Sequence, residues 1–258
     1  MTTIYVMGDS FSAGAELEDH TFESYKKYNP KNTDEYSKWI HTKEYENELK
    51  SRPNYSKFYA ELQRAWPAKL ESITGLQVIN KSFGGTGPSM WRASVIMDFL
   101  HFNKTNTTID IAIIQVTDYN RSCLFTSNEN NAISYVSIGI RSLTHGTTFQ
   151  KLFQKSKTML QDDIGDFFNF LIDLATIKTI LLNNGVKTIK FVGSYPPFKF
   201  NNNYASYVNE IAELLDFLEI DLNDMPFIMK PNENLPGGHC SELAHEKFAL
   251  EMKNLLNL

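Results

Sequence analysis

A serine and a histidine stand near opposite ends of this chain, each in a setting that suits acyl transfer. The apolar run Thr3-Ile4-Tyr5-Val6-Met7 leads directly into Gly8-Asp9-Ser10-Phe11-Ser12, and the loop Pro236-Gly237-Gly238-His239-Cys240 delivers a histidine just before the last helical stretch. A hydroxyl is a poor nucleophile until a neighbouring base removes its proton, so an exposed serine and a positioned imidazole that meet in space point to a hydrolase. Gly8 permits a tight turn, which places Ser10 at the carboxyl edge of a sheet. The side chain of Asp9, next to the nucleophile at a strand exit, points away and is expected to hydrogen-bond local backbone. A third element is Val78-Ile79-Asn80-Lys81-Ser82-Phe83-Gly84-Gly85-Thr86-Gly87, a strand that ends in a glycine-rich loop whose backbone N–H groups can stabilise an oxyanion.

The elements that must hold these residues follow from the apolar periodicity. Short apolar runs at Thr3–Met7, Gln77–Ile79, Ile109–Val116 and Thr188–Val192, with a weaker one at Pro226–Met229, alternate with helical stretches, the pattern of parallel strands joined by crossover helices. Helices are predicted over Tyr59–Thr74, Ser89–Phe102, Gly165–Asn184, Tyr204–Leu218 and Ser241–Leu256. In the third, Phe167, Phe168, Phe170, Leu171, Leu174, Ile177, Leu181 and Leu182 recur at helical spacing, and Asn183-Asn184-Gly185 supplies the stop. Trp66-Pro67 interrupts the first, with Pro67 suited to an early helical position. Residues 20–56 and 121–163 fit no such alternation. They follow strands that carry candidate site loops, where open α/β sheets bind ligands, and they read as lids or substrate walls, or else as surface excursions or contacts with a second copy. The aromatic residues of the first of these segments, Tyr25, Tyr28, Tyr36, Trp39, Tyr45 and Tyr55, suit either stacking on sugars and enclosing an acyl chain or plain packing.

The 258 residues, 42% of them hydrophobic, suffice for one sizeable α/β domain. A net charge of −5 without any long basic block gives no reason to expect nucleic acid as a partner. The two cysteines, Cys123 and Cys240, form no disulfide framework or zinc pattern in sequence. The apolar start is too short for a signal sequence or a membrane span, so a cytoplasmic setting is the expectation.

Taken in order, the three elements resemble the SGNH (GDSL) family of serine esterases and lipases, at islands between residue 3 and about residue 255. The resemblance implies a flavodoxin-like three-layer α/β/α sandwich with a parallel sheet of about five strands, formed by a single domain over 1–258 with insertions at about 20–56 and 121–163. It implies that Ser10 is the nucleophile and also an oxyanion N–H donor, that Gly85 gives a second N–H, and that His239 is the general base, with His245 and Ala249 in the helix positions usual behind it. The implied reaction is hydrolysis of a carboxylic ester through an acyl-enzyme. Substrates would be small-molecule or carbohydrate esters, including O-acetyl groups, simple acyl esters and lipids, and no metal or organic cofactor is required.

Two departures from the family pattern stand out. Its third block ends in glycine, any residue, asparagine, whereas this chain has Thr117-Asp118-Tyr119-Asn120-Arg121, with Asn120 one place late. Either Asn120 or the Thr117 hydroxyl can complete the oxyanion hole if the loop shifts; otherwise Asn120 is a turn residue. The family also places an aspartate three residues before the histidine, where Pro236 stands here. Among Asn232, Glu233 and Asn234, with Asp221 and Asp224 farther off, Glu233 is the preferred carboxylate, and a backbone carbonyl, giving a Ser-His dyad, ranks ahead of any of these side chains. His245 is expected to pack within the final helix, and His20, His41, His101 and His145 to be solvated.

Two rivals remain from sequence alone. A catalytically degenerate relative would use the same crevice to bind a glycan or a protein. A phosphate cradle at Gly84-Gly85-Thr86-Gly87 lacks both the Walker lysine and a GxGxxG pattern.

Overall fold

The computed structural model describes residues 2–52, 56–116, 122–127, 133–138, 163–193, 217–219, 235 and 239–258. In chain order these form β1 (Thr3–Met7), α1 (Ser10–Ala13), a 3-10 turn (Asp19–Thr21), α2 (Glu23–Tyr28), α3 (Thr33–Ile40), α4 (Lys43–Lys50), α5 (Lys57–Leu62), α6 (Trp66–Thr74) and β2 (Gln77–Asn80). The chain continues through α7 (Pro88–Thr105), β3 (Ile111–Val116), β4 (Ser122–Ser127), β5 (Ile133–Ile138), α8 (Asp163–Asn183), β6 (Thr188–Gly193), β7 (Phe217–Glu219) and α9 (Glu242–Leu255). The parallel sheet has the order β2-β1-β3-β6-β7, and β4 and β5 form a separate antiparallel pair. An α/β fold with a parallel sheet and crossover helices is what the alternating apolar runs predict.

Two compact units are assembled from separate stretches, residues 1–6, 10–84 and 222–258 in one and residues 7–9 and 85–221 in the other. In the first, β1 pairs in parallel with β2, Thr3 opposite Gln77 and Val6 opposite Asn80. All of β1 is buried, as a strand covered on both faces must be. α5 ends at Leu62 and α6 restarts at Trp66 with Pro67 in its first turn, where a missing N–H costs no helical hydrogen bond. α9 packs on α6 through the rings of Trp66 and Phe248, 5.0 Å apart. Ser241 caps α9, accepting the Ala244 N–H at 3.4 Å.

Residues 20–56 contain α2, α3 and α4, and their aromatic side chains converge on a core of their own. Trp39 is fully buried, with Tyr45, Tyr25, Tyr36 and Phe22 rings at 4.7, 5.0, 5.6 and 6.3 Å. Of the aromatic residues singled out in this segment, Tyr28 is exposed and Tyr55 lies outside the described residues. Packing is thus the role of the Trp39 cluster, because one large indole offers every neighbouring ring an edge or a face.

In the second unit β3 pairs in parallel with β6, Ile111 opposite Thr188 through Val116 opposite Gly193, and β6 pairs with β7. α7 and α8 are linked by an Arg92–Asp173 ion pair at 2.6 Å. One expectation fails here. The helix predicted over Tyr204–Leu218 cannot include its last residues, since Phe217 and Leu218 belong to β7. A short apolar run carries no decisive periodicity, and pairing with Phe191 to Gly193 selects the extended state. The remainder of that predicted helix, and the strand predicted at Pro226–Met229, lie outside the described residues.

Candidate active site

Ser10 opens α1 immediately beyond β1, as the sequence predicts. α1 is a single turn closed by a Schellman arrangement: the Gly14 N–H donates to Phe11 O at 3.1 Å and the Ala15 N–H to Ser10 O at 3.0 Å. Gly14 has φ +74°, and a Cβ there would stand 2.5 Å from the Glu61 carbonyl oxygen, so only glycine fits. The turn is anchored from behind. The Phe11 ring lies 4.6 Å from that of His245 and 5.1 Å from that of Phe248, which seats α1 on α9. The Ser12 hydroxyl accepts the Trp66 indole N–H at 2.9 Å, and the Ser12 carbonyl accepts the Asn80 amide at 2.9 Å.

The same Asn80 folds the glycine-rich loop by accepting the Ser82 N–H at 3.0 Å. Gly84 packs on Ser10, since a Cβ placed on it would lie 3.7 Å from Ser10 Cβ. Thr86 donates to the Gly8 carbonyl at 3.4 Å and accepts the buried Trp91 indole N–H at 2.8 Å. Gly85 lies between these two anchor points with φ +76°, a conformation that favours glycine. Asn120 and Thr117 lie outside the described residues.

His239 is half-buried and stands three residues ahead of α9, the helix on which α1 sits. Its Nδ1 is 3.5 Å from Glu16 Oε1, and its backbone N–H points to Glu16 Oε2 at 3.4 Å. The carboxylate beside the imidazole therefore comes from the turn after α1. Glu233, Asn232, Asn234 and Pro236 lie outside the described residues. Glu16 escaped the sequence reading because only acids near His239 in the chain were considered. The available signal was an acid in the Gly14-Ala15-Glu16-Leu17 turn of the Ser10 block itself.

A buried charge cluster lies behind Glu16. Its backbone N–H donates to Glu61 Oε1 at 2.8 Å; Lys57 pairs with Asp19 and with Glu61, and the Tyr36 hydroxyl donates to Asp19 at 2.6 Å. Burial pushes the Glu61 carboxyl up to about 7 despite Lys57. Burial would lower Lys57, but Asp19 and Glu61 outweigh it and raise its pKa.

His245 is a different kind of histidine. It is 1% exposed, its Nδ1 accepts the Trp66 backbone N–H at 3.0 Å, and burial pushes it down to about 3, so it is a neutral packing residue. His20, His41 and His101 are exposed, and His145 lies outside the described residues. A cavity of about 470 Å³ is lined by residues of α5, α6 and β2 such as Tyr59, Gln63 and Val78, and none of Ser10, Glu16 or His239 lines it. Among the described residues no helix is long and apolar enough to cross a membrane, and no group of three or more His, Cys, Asp or Glu side chains is placed to hold a metal ion.

No protein-family model and no curated protein matches the chain. Solved structures do. TesA is similar over 99% of this chain and 98% of its own, with a TM-score of 0.52 and 12% identity. A protein assigned to the lipolytic G-D-S-L family from Desulfitobacterium hafniense DCB-2 aligns over 99% of both chains, with a TM-score of 0.49 and 11% identity. The acetyl xylan esterase Est2A from the rumen bacterium Butyrivibrio proteoclasticus aligns over 99% of this chain and 64% of its own, with a TM-score of 0.49 and 12% identity. What such likeness establishes is architecture: the chain has the α/β fold of the SGNH hydrolases, with a parallel sheet flanked by helices.

Proposed function

We propose that the protein is a serine hydrolase that cleaves carboxylic esters. The observation that carries this reading is that Ser10 opens a turn seated on α9 while His239 stands just ahead of the same helix, with a glycine loop packed on the serine. His239 takes the Ser10 proton as Oγ attacks the ester carbonyl carbon. The resulting oxyanion is held by the N–H groups of Ser10 and Gly85, with Asn120 or Thr117 as a further donor. His239 then returns the proton to the departing alcohol, and water, deprotonated by the same imidazole, releases the acid. Each oxyanion donor contributes about 10²- to 10³-fold in turnover. The SGNH resemblance favours small-molecule and carbohydrate esters, O-acetyl groups among them.

The test is labelling with a fluorophosphonate, followed by hydrolysis of esters graded by acyl length and including acetylated sugars. Ser10 is expected to carry the label, and Ser10→Ala to abolish both labelling and hydrolysis with no loss of fold. Full hydrolysis by Ser10→Ala would sink the reading.

A further inference from the structure

We propose that Glu16 is the positioning acid of His239, supplied from the nucleophile's own turn in place of the aspartate that Pro236 displaces. The assignment rests on the Ser10–His239 reading. Both oxygens of one carboxylate address one residue: Oε1 faces Nδ1 at 3.5 Å and Oε2 faces the backbone N–H at 3.4 Å, across 223 positions of chain. His239 Nδ1 and Glu16 Oε1 are each shut off from solvent, and neither has a hydrogen bond within the described residues, so each is the polar partner the other lacks. A closer approach of a few tenths of an ångström completes the bond.

The surroundings of Glu16 support the same role. Its side chain is 4% exposed, and a buried carboxylate is costly unless paired. The nearby cation, Lys57, forms its ion pairs with Asp19 and Glu61. Among the described residues the ion-pair partner of Glu16 is His239. Glu16 also has φ +72°, a left-handed backbone that a non-glycine residue adopts only under strain. That backbone is held by the Glu61 carboxyl on its N–H and by the Asp19 N–H on its carbonyl at 3.1 Å. Strain kept in place by surrounding bonds, at a residue whose side chain reaches the candidate base, fits a functional constraint.

The chemical consequence is a fixed tautomer. An acceptor at Nδ1 keeps the ring proton there, which leaves the Nε2 lone pair for the Ser10 proton, and the carboxylate stabilises the imidazolium that forms. Charged and titratable groups around the pair are Glu61 and Lys57 on α5, Asp19 on the 3-10 turn, Tyr25 on α2, Tyr36 on α3, and Glu242 and the neutral His245 on α9.

Glu16→Gln keeps the shape and removes the charge. Expected are a thermal midpoint within a few degrees of the parent and a kcat about 10²- to 10⁴-fold lower with little change in KM. A residue that merely supports the fold would lower the midpoint and leave kcat per folded molecule unchanged. Unchanged kcat in Glu16→Gln, with Ser10→Ala and His239→Ala inactive, would overturn the assignment of Glu16 alone. Activity in Ser10→Ala would overturn the hydrolase reading instead. A readout independent of activity and of the Gln variant is the tautomer of neutral His239 by ¹⁵N NMR in the Ser10→Ala protein. A proton on Nδ1 supports the proposal, and a proton on Nε2 refutes it.

Discussion

Residues 16–64 bury Glu16, Asp19 and Glu61 almost completely, with Lys57 partly covered among them, whereas β3, α7 and α8 bury Ile113, Ile114, Val95, Phe99, Leu174 and Ile177. Within β3 the exception is Gln115, whose amide donates to the Val116 carbonyl. The contrast separates two kinds of burial. Apolar side chains contribute about 1.5–3 kcal/mol each by leaving water, so the β3 region stabilises whatever its detailed shape. Buried ions carry a desolvation penalty of several kcal/mol apiece, which pairing recovers only in part. Two acids, Asp19 and Glu61, gathered on one lysine are therefore weak evidence for stability, and Glu61 holds the backbone N–H of Glu16, whose carboxylate faces His239.

The largest effects expected from breaking this comparison are a matched pair. Gly14→Ala forces a methyl against the Glu61 carbonyl in a left-handed backbone, and should destabilise by about 2–5 kcal/mol. Ile113→Ala opens a cavity in β3 at a similar cost of about 2–5 kcal/mol. Urea titrations should give comparable losses, but ester hydrolysis per folded molecule should drop only for Gly14→Ala, whose turn joins Ser10 to Glu16. Equal specific activities would mean that the two regions do not differ in function.

A smaller effect is expected at the second histidine. His245→Phe removes the acceptor of the Trp66 N–H, and a buried donor left without a partner costs about 1–3 kcal/mol. The thermal midpoint should fall while kcat and its pH limb stay where they are. A lost limb would make His245 a participant in proton transfer.

The smallest effect sharpens the role of the acid cluster. The folded carboxyl of Glu61 titrates near 7, above its unfolded value, so its contribution to stability is complete below about pH 4 and is lost as pH rises through 7. The thermal midpoint of the parent should decline from pH 5 to pH 8 more steeply than that of Glu61→Gln, which retains an oxygen for the Glu16 N–H. Parallel profiles would show that Glu61 carries its charge at no cost.

Local patterns made much of this molecule legible in the sequence. The apolar run Thr3–Met7 is β1 to the residue, the Trp66-Pro67 break separates α5 from α6, and Ser241 caps α9, because strands, helix starts and proline positions depend on neighbours within a turn or two. Ser10 and His239 could be nominated on the same ground, each sitting at the edge of an element whose ends the sequence marks. Tertiary structure alone decided the rest. Phe217 and Leu218 became strand through pairing with β6, and Trp39 gathered its aromatic neighbours into a core. Glu16 faces His239 because two loops 223 positions apart converge on α9, and a carboxylate's environment is set by what surrounds it in space, which no local pattern records.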